Sequence, residues 1–345
     1  MIPIQNIYYM LSYAFQVLNE QGYKNIATEQ FHNTAELMAA ILEKGIAIQL
    51  KRGLGKEYIP QTEALSSLRG KIDIAESIKT QSMLRKQLIC TYDEFSVNSI
   101  MNQIIKSTVE LLLRSNISKQ RKKNLRKLMV YFSEVDFIDS YTVNWNVQYN
   151  RNNQTYRMLI SICYLVVKGL SQTQSNGHTE LMDFLDEQRM CRLYEKFILE
   201  YYRREFKNQI TANASQIPWQ LDNEENSMLP VMQSDIMLQS GEKVLIIDAK
   251  YYEHSTQVQF DKHTLHSGNL YQIFTYVKNK EYELREKDHT VSGMLLYAKT
   301  DEEIYPNNVY QMSGNQIAVR TLDLNLPFDE IASQLNTIAK THFDL

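Results

Sequence analysis

The run Val244-Leu245-Ile246-Ile247-Asp248-Ala249-Lys250-Tyr251-Tyr252 sets an acid and a base at the end of an apolar stretch. In a strand, residues two apart share a face, so Asp248 and Lys250 project to one side. Two readings follow. One is a strand-end ion pair, worth about 0–1 kcal/mol where exposed. The other is a hydrolytic site in which Asp248 holds a divalent metal and Lys250 orients or deprotonates the attacking water. A second carboxylate, Asp235, lies upstream within Pro230–Leu238. Mg²⁺ takes oxygen ligands in an octahedron and keeps several waters, so Asp235, Asp248 and the carbonyl of Ala249 suffice to hold it. A third acid, Glu195, is a candidate ligand, and Gln272 with Tyr276 is either a candidate polar pair or the flank of an ordinary amphipathic helix.

The elements that must position these residues are legible from periodicity. Four consecutive branched apolar residues, 244–247, suit a strand buried on both faces, although periodicity alone leaves a buried helix turn open. Gln239-Ser240-Gly241-Glu242 is a turn signal, so the Asp235 and Asp248 runs form a hairpin. Apolar residues at 190, 193, 194, 197, 198 and 201 have helical spacing. Glu195 falls on the flank of that stripe, either solvated or aimed at the strand ends. A later helix has its stripe at 270, 273, 274 and 277, with Gln272 and Tyr276 together on one flank at i, i+4. Strands over 291–298 and 316–322 and a helix from Phe328 complete an α/β sandwich with a mixed sheet.

Composition bounds the rest. At 345 residues the chain is long enough for two domains. Only 11 glycines and 6 prolines imply long helices outside the sheet. The net charge of −3 requires any nucleic-acid contact to come from local patches. Cys90, Cys163 and Cys191 show no CxxC spacing, which argues against a disulfide framework, a zinc site or an iron–sulfur cluster. No apolar run approaches the ~20 residues of a membrane span. Met1-Ile2-Pro3-Ile4 lacks the charged start of a signal peptide, so the expected location is cytoplasmic.

Residues 1–175 read as a mainly helical N-terminal domain with a small β element at about 45–75. Asn6 is the expected N-cap of a first helix, and Thr34–Lys44 forms a second. Ile46 to Ile59 alternates and turns on Gly53 and Gly55 as a hairpin does, and Gly70–Ile74 is a further strand. This element carries Lys51, Arg52 and Lys56, which by themselves read as a polar hairpin tip. Gly53-Leu54-Gly55-Lys56 is no phosphate loop, because Leu50 stands where the first glycine belongs and Glu57 where Ser or Thr would bind Mg²⁺. A helix over Ser96–Leu113 is followed by a basic cluster that includes Arg121, Lys122 and Lys123. On a surface helix such a cluster is a solvated face or a set of phosphate contacts. After a helix over 158–170, Gly169–Glu180 has linker composition, and a second domain spans 176–345.

The order helix with Glu195, strand with Asp235, strand with Asp248-Ala249-Lys250, helix with Gln272-x-x-x-Tyr276 resembles the PD-(D/E)xK nuclease superfamily. Four stretches, Ile2–Leu11, Lys51-Arg52-Gly53-Leu54, Asn102–Thr108 and Ile246–Tyr252, further resemble the McrC family, the nuclease subunits of McrBC modification-dependent restriction systems. The resemblance implies catalysis by Asp235, Asp248 and Lys250 with Mg²⁺, and a less fixed acid at Glu195. It implies Gln272 and Tyr276 beside the scissile phosphate. It also implies a hexameric AAA+ GTPase partner, McrB, which binds the GTP that this chain does not. The substrate would be methylated double-stranded DNA, with two nuclease subunits pairing to cut both strands. By the same analogy the basic element around Arg52 enters the GTPase ring. Competing readings are a self-sufficient nuclease of the RecB or Cas4 type and a non-catalytic DNA-binding scaffold.

Overall fold

In a computed structural model of the chain, the described residues are 2–345 apart from 20–22, 24, 25, 27, 28, 30, 140, 141, 151, 152, 154, 172–186, 223–227, 253–256, 260, 261 and 300–304. The chain forms two compact units, Met1–Phe31 with Phe184–Leu345, and His32–Asp183. This differs from the expected division, which gave the first helix to the N-terminal domain. The expected linker at 169–180 lies largely outside the described residues; its first three residues close a helix.

The chain opens with α1 (Ile4–Ala14), capped by Pro3. Asn6 is therefore not the cap. Its buried amide instead donates to the carbonyls of Leu324 and Leu326, both at 2.8 Å. Tyr9 stacks on Phe328 at 4.5 Å, and Tyr13 packs on Phe197 and donates to Glu205 at 2.9 Å. These contacts tie α1 to the C-terminal unit.

In the His32–Asp183 unit, α2 (Thr34–Arg52) is capped by Asn33, whose side chain accepts from the Glu36 amide at 2.8 Å. The helix does not stop at Lys44: Ile46 and Gln49 continue the buried stripe of Leu42 and Gly45, and Gly53 at φ +90° ends it. No hairpin turns on Gly53 and Gly55. Instead β1 (Glu57–Leu65) pairs antiparallel with a distant strand, and β2 (Lys71–Asp73) with that strand's other edge. After α3 (Ile74–Lys79), β3 (Leu88–Ser96) is that central strand. Then come α4 (Ile100–Arg114), α5 (Lys119–Met129) and α6 (Tyr156–Ser171).

The C-terminal unit continues with α7 (Glu187–Glu205), β4 (Thr211–Asn213) and the short pair β5 (Gln216–Ile217) and β6 (Met232–Gln233). A hairpin of β7 (Ile236–Ser240) and β8 (Lys243–Lys250) follows, then a small ribbon of β9 (Gln257–Gln259) and β10 (Lys262–Thr264). The chain ends with α8 (Ser267–Leu284), β11 (Thr290–Ala298), β12 (Asn308–Met312), β13 (Asn315–Leu322) and α9 (Phe328–Phe343). The six-stranded sheet has the order β12-β13-β11-β8-β7-β4. Its centre, β8, β11 and β13, is parallel and its flanks are antiparallel, as a mixed α/β sandwich requires.

Parallel neighbours need a crossover, and α8 supplies it between β8 and β11. Its Ile273 and Val277 share a core with Ile246, Val291 and Leu295, each side chain contributing about 1.5–3 kcal/mol on full burial. The helix lies close because Gly293 sits beneath it: a Cβ there would stand 2.8 Å from Ile273 and 2.9 Å from Val277. Gly293 is the register partner of Ile246, so α8 covers the face that carries Val244, Ile246, Asp248 and Lys250. On the other face, Tyr194 of α7 meets Tyr251 with ring centroids 6.2 Å apart. Among the described residues no helix is long and apolar enough to cross a membrane.

Candidate active site

The two aspartates are brought together by turn length. Gly241, at φ +56°, takes the left-handed conformation in a tight turn that pairs Ser240 with Lys243. The same register runs to Ile236 opposite Ile247, so one step further Asp235 faces Asp248. Asp235 Oδ2 accepts a hydrogen bond from the Ala249 amide at 2.9 Å.

Asp248 is 1% exposed, and neither of its oxygens accepts a hydrogen bond of good geometry. The cation beside it is Lys250, with Nζ 2.8 Å from Oδ2. Burial pushes the Asp248 carboxyl up to about 7, and nearby Asp235 adds to the rise, while Lys250 pulls against it. Burial works against the charge on Lys250, but the Asp248 carboxylate prevails and holds that ammonium above its ordinary value. Lys250 Nζ also donates to Gln272 Oε1 at 3.4 Å, and Gln272 Nε2 donates to the Tyr276 hydroxyl at 3.0 Å. The expected pair on the α8 flank thus reaches the lysine.

Glu195 comes from α7, on the opposite layer. Its carboxylate accepts from the Cys191 thiol at 3.1 Å. Burial raises its pKa, and the charge of Asp235 raises it further. Cys191 Sγ lies 4.0 Å from the Ala249 carbonyl oxygen, and burial pushes the thiol up to about 12. Among the described residues no three Asp, Glu, His or Cys side chains close into a metal cage. The candidate oxygen donors are the carboxylates of Asp235 and Asp248 with the Ala249 carbonyl. That set suits Mg²⁺, a hard cation that keeps waters in its shell. The lone pairs of Asp248, buried without a donor beyond one ammonium, fit a bound cation.

Three neighbours went unnoticed in the sequence. Tyr252 donates to Asn269 Oδ1 at 3.4 Å, and Asn269 Nδ2 donates to the hydroxyl of Tyr297 at 2.9 Å. Asn269, Gln272 and Tyr276, at i, i+3 and i+7, make one polar stripe on α8 that could have been found. Tyr297 sits inside an apolar run, where nothing distinguishes it from a core aromatic.

The basic candidates belong to the other unit. Lys51 and Arg52 are exposed on the last turn of α2 rather than at a hairpin tip. Lys56 lies 5.8 Å over the Phe95 ring. Arg121 is drawn into the unit by Glu36 at 3.4 Å and Glu43 at 2.9 Å, so it is no open phosphate contact. Lys122 is half-buried on α5 and Lys123 exposed.

The family model described as McrBC 5-methylcytosine restriction system component matches residues 5–298. A relative from Escherichia coli strain K12, the type IV methyl-directed restriction enzyme EcoKMcrBC, is 30% identical over 342 residues, covering 97% of this chain and 96% of the relative. Two solved structures from Thermococcus gammatolerans are similar. A half-complex of McrB AAA+ hexamers with bound McrC, from a tetradecameric assembly, has TM-score 0.47 and 18% identity, over 97% of this chain and 76% of that one. A McrBC complex seen by cryo-EM has TM-score 0.42 and 22% identity, over 59% of each chain. With the family match spanning most of its length and a relative aligned nearly end to end, the chain belongs to the family of McrBC 5-methylcytosine restriction system components.

Proposed function

We propose that this chain is the Mg²⁺-dependent endonuclease subunit of a GTP-driven, methylcytosine-dependent restriction complex, working in the cytoplasm with an McrB-like AAA+ GTPase hexamer. The observation that carries the reading is Lys250, held between Asp248 and Gln272 while Asp235 faces Asp248 across the hairpin. Asp235, Asp248 and the Ala249 carbonyl would hold the metal, with Glu195 behind Cys191 as a further acid. Bound there, Mg²⁺ supplies Lewis-acid stabilisation of the charge that builds on the phosphate. Lys250 orients the attacking water, and Gln272 and Tyr276 fix the direction of its ammonium. The buried face of β8 keeps bulk water from these groups, so each charge acts in a low dielectric.

On this reading the partner binds GTP and recognises the modified cytosine, and this chain cuts the double-stranded DNA and stimulates GTP hydrolysis. Lys51, Arg52 and Lys56 are the candidate contacts to the GTPase ring, with Lys122 and Lys123 as candidate phosphate contacts. Two copies pair to cut both strands. The test is co-purification with a candidate GTPase, with and without GTP, followed by cleavage of methylated DNA. GTP-dependent cutting that Asp248→Ala abolishes, with GTPase stimulation intact, is expected. Robust cutting by this chain alone with Mg²⁺ would favour a self-sufficient nuclease, and no cutting in the full complex a scaffold.

A further inference from the structure

The helix that brings Gln272 to Lys250 has no side-chain cap at its start: His266, the capping residue, makes no such bond. His266 instead sets its ring edge-on to Tyr252, with centroids 5.6 Å apart, at the strand end that carries Lys250. One turn before Gln272, Asn269 is buried, at 8% exposed, and its amide is used in both directions. It accepts from Tyr252, two residues past Lys250, and donates to Tyr297, the register partner of Lys250 on β11. Tyr297 is fully buried, and the charges of Asp248 and Lys250 both act on its hydroxyl. A buried amide has to be satisfied, so this geometry tolerates little rotation or sliding of the first helical turn.

We propose that Asn269 and Tyr297 form a positioning clamp that sets where Gln272 meets Lys250. The clamp joins α8 to Tyr252, just past the end of the lysine's own strand, and to Tyr297 on the neighbouring strand β11. Gly293 sets how close the helix lies, and Asn269 sets its rotation. With the clamp open, α8 stays packed through Ile273 and Val277, but Gln272 no longer falls at hydrogen-bond distance from the ammonium. The proposal rests on the nuclease reading above.

The test is a double-mutant cycle on single-turnover cleavage by the full complex with its GTPase partner, GTP and methylated DNA. Asn269→Ala alone should slow cleavage about 10-fold, the scale expected when a reacting group is displaced by a fraction of an ångström. The KM for DNA and the stimulated GTPase rate should stay at wild-type values. In a Gln272→Ala background, Asn269→Ala should cost less than about 2-fold more, because the group it positions is already gone. Equal losses in both backgrounds, or no loss from Asn269→Ala, would overturn the clamp. Tyr297→Phe, which removes one oxygen from the same chain, runs the same cycle should Asn269→Ala assemble poorly. Undiminished cleavage by Asp248→Ala would strike the nuclease reading itself and is scored separately.

Discussion

Asp235 and Asp248 face each other across the β7–β8 hairpin, yet only Asp235 has a backbone donor, the amide of Ala249. Asp248 is left desolvated beside one ammonium, and its proton is held up to about pH 7. The folded state therefore binds that proton more tightly than the unfolded chain, whose carboxyl titrates near ~3.9. The resulting stability is fully present below about pH 4 and is lost as pH rises towards 7. Lys250 is protonated throughout this window and leaves the slope unchanged. Asp248→Asn should thus melt progressively higher relative to wild type as pH goes from 5 to 8. Mg²⁺ at pH 8 should narrow the gap. A difference independent of pH would show that Asp248 is not destabilised by burial.

Lys250→Met keeps the aliphatic stem and removes the charge beside Asp248. Cleavage by the complex should fall about 10²–10⁴-fold, the usual contribution of a positioned acid–base group. Stimulation of the partner's GTPase should be unaffected, which a phosphate-release assay reads directly.

A methyl group at position 293 has no room, since it would lie 2.8 Å from Ile273 and 2.9 Å from Val277. Gly293→Ala should lower stability by about 1–3 kcal/mol and slow cleavage by lifting α8 from the sheet. Trimming the opposing side chain with Ile273→Ala removes the Cγ1 atom that the added methyl would meet and should recover part of the cleavage rate. Denaturant melts and cleavage rates on the two variants check this.

Arg121 and Lys123 stand two residues apart on α5, but their environments differ. Arg121→Ala removes the cation between Glu36 and Glu43, leaving them the neutral donors Ser118 and Asn124, and should cost about 1–3 kcal/mol in melts of the full chain. Lys123→Ala should leave stability unchanged. If Lys123 meets a phosphate, its loss lowers the salt slope of DNA binding by about one, while Arg121→Ala leaves that slope alone.

What could be read from sequence was what local pattern determines. The run at 244–247, the turn at Gly241 and the stripes of α7 and α8 specify their elements within a few residues, and the turn alone sets Asp235 against Asp248. Long-range partners were not legible. Ile46-Ala47-Ile48-Gln49-Leu50 alternates like a strand, but Ile46 and Gln49 also continue the buried face of α2, and burial decided the outcome. β3 escaped notice because Leu88–Ser96 is half polar and is defined by β1 and β2 on its two edges. Asn6 fits a cap signal, but its amide is used on carbonyls far along the chain. Asn269 was missed for a like reason: its partner Tyr297 is identified only by the sheet register.

The bond from Asn6 to Leu324 spans 318 positions. During synthesis at ~5–20 residues per second, the first helix leaves the ribosome roughly 15–60 s before the carbonyls that receive it. For that interval Ile7, Met10 and Leu11 lack the cover they have in the finished protein. A fragment starting at residue 184 would carry every catalytic candidate and still leave the seat of α1 empty. Translation order keeps this eleven-residue helix from its seat until Leu324 and Phe328 have been made.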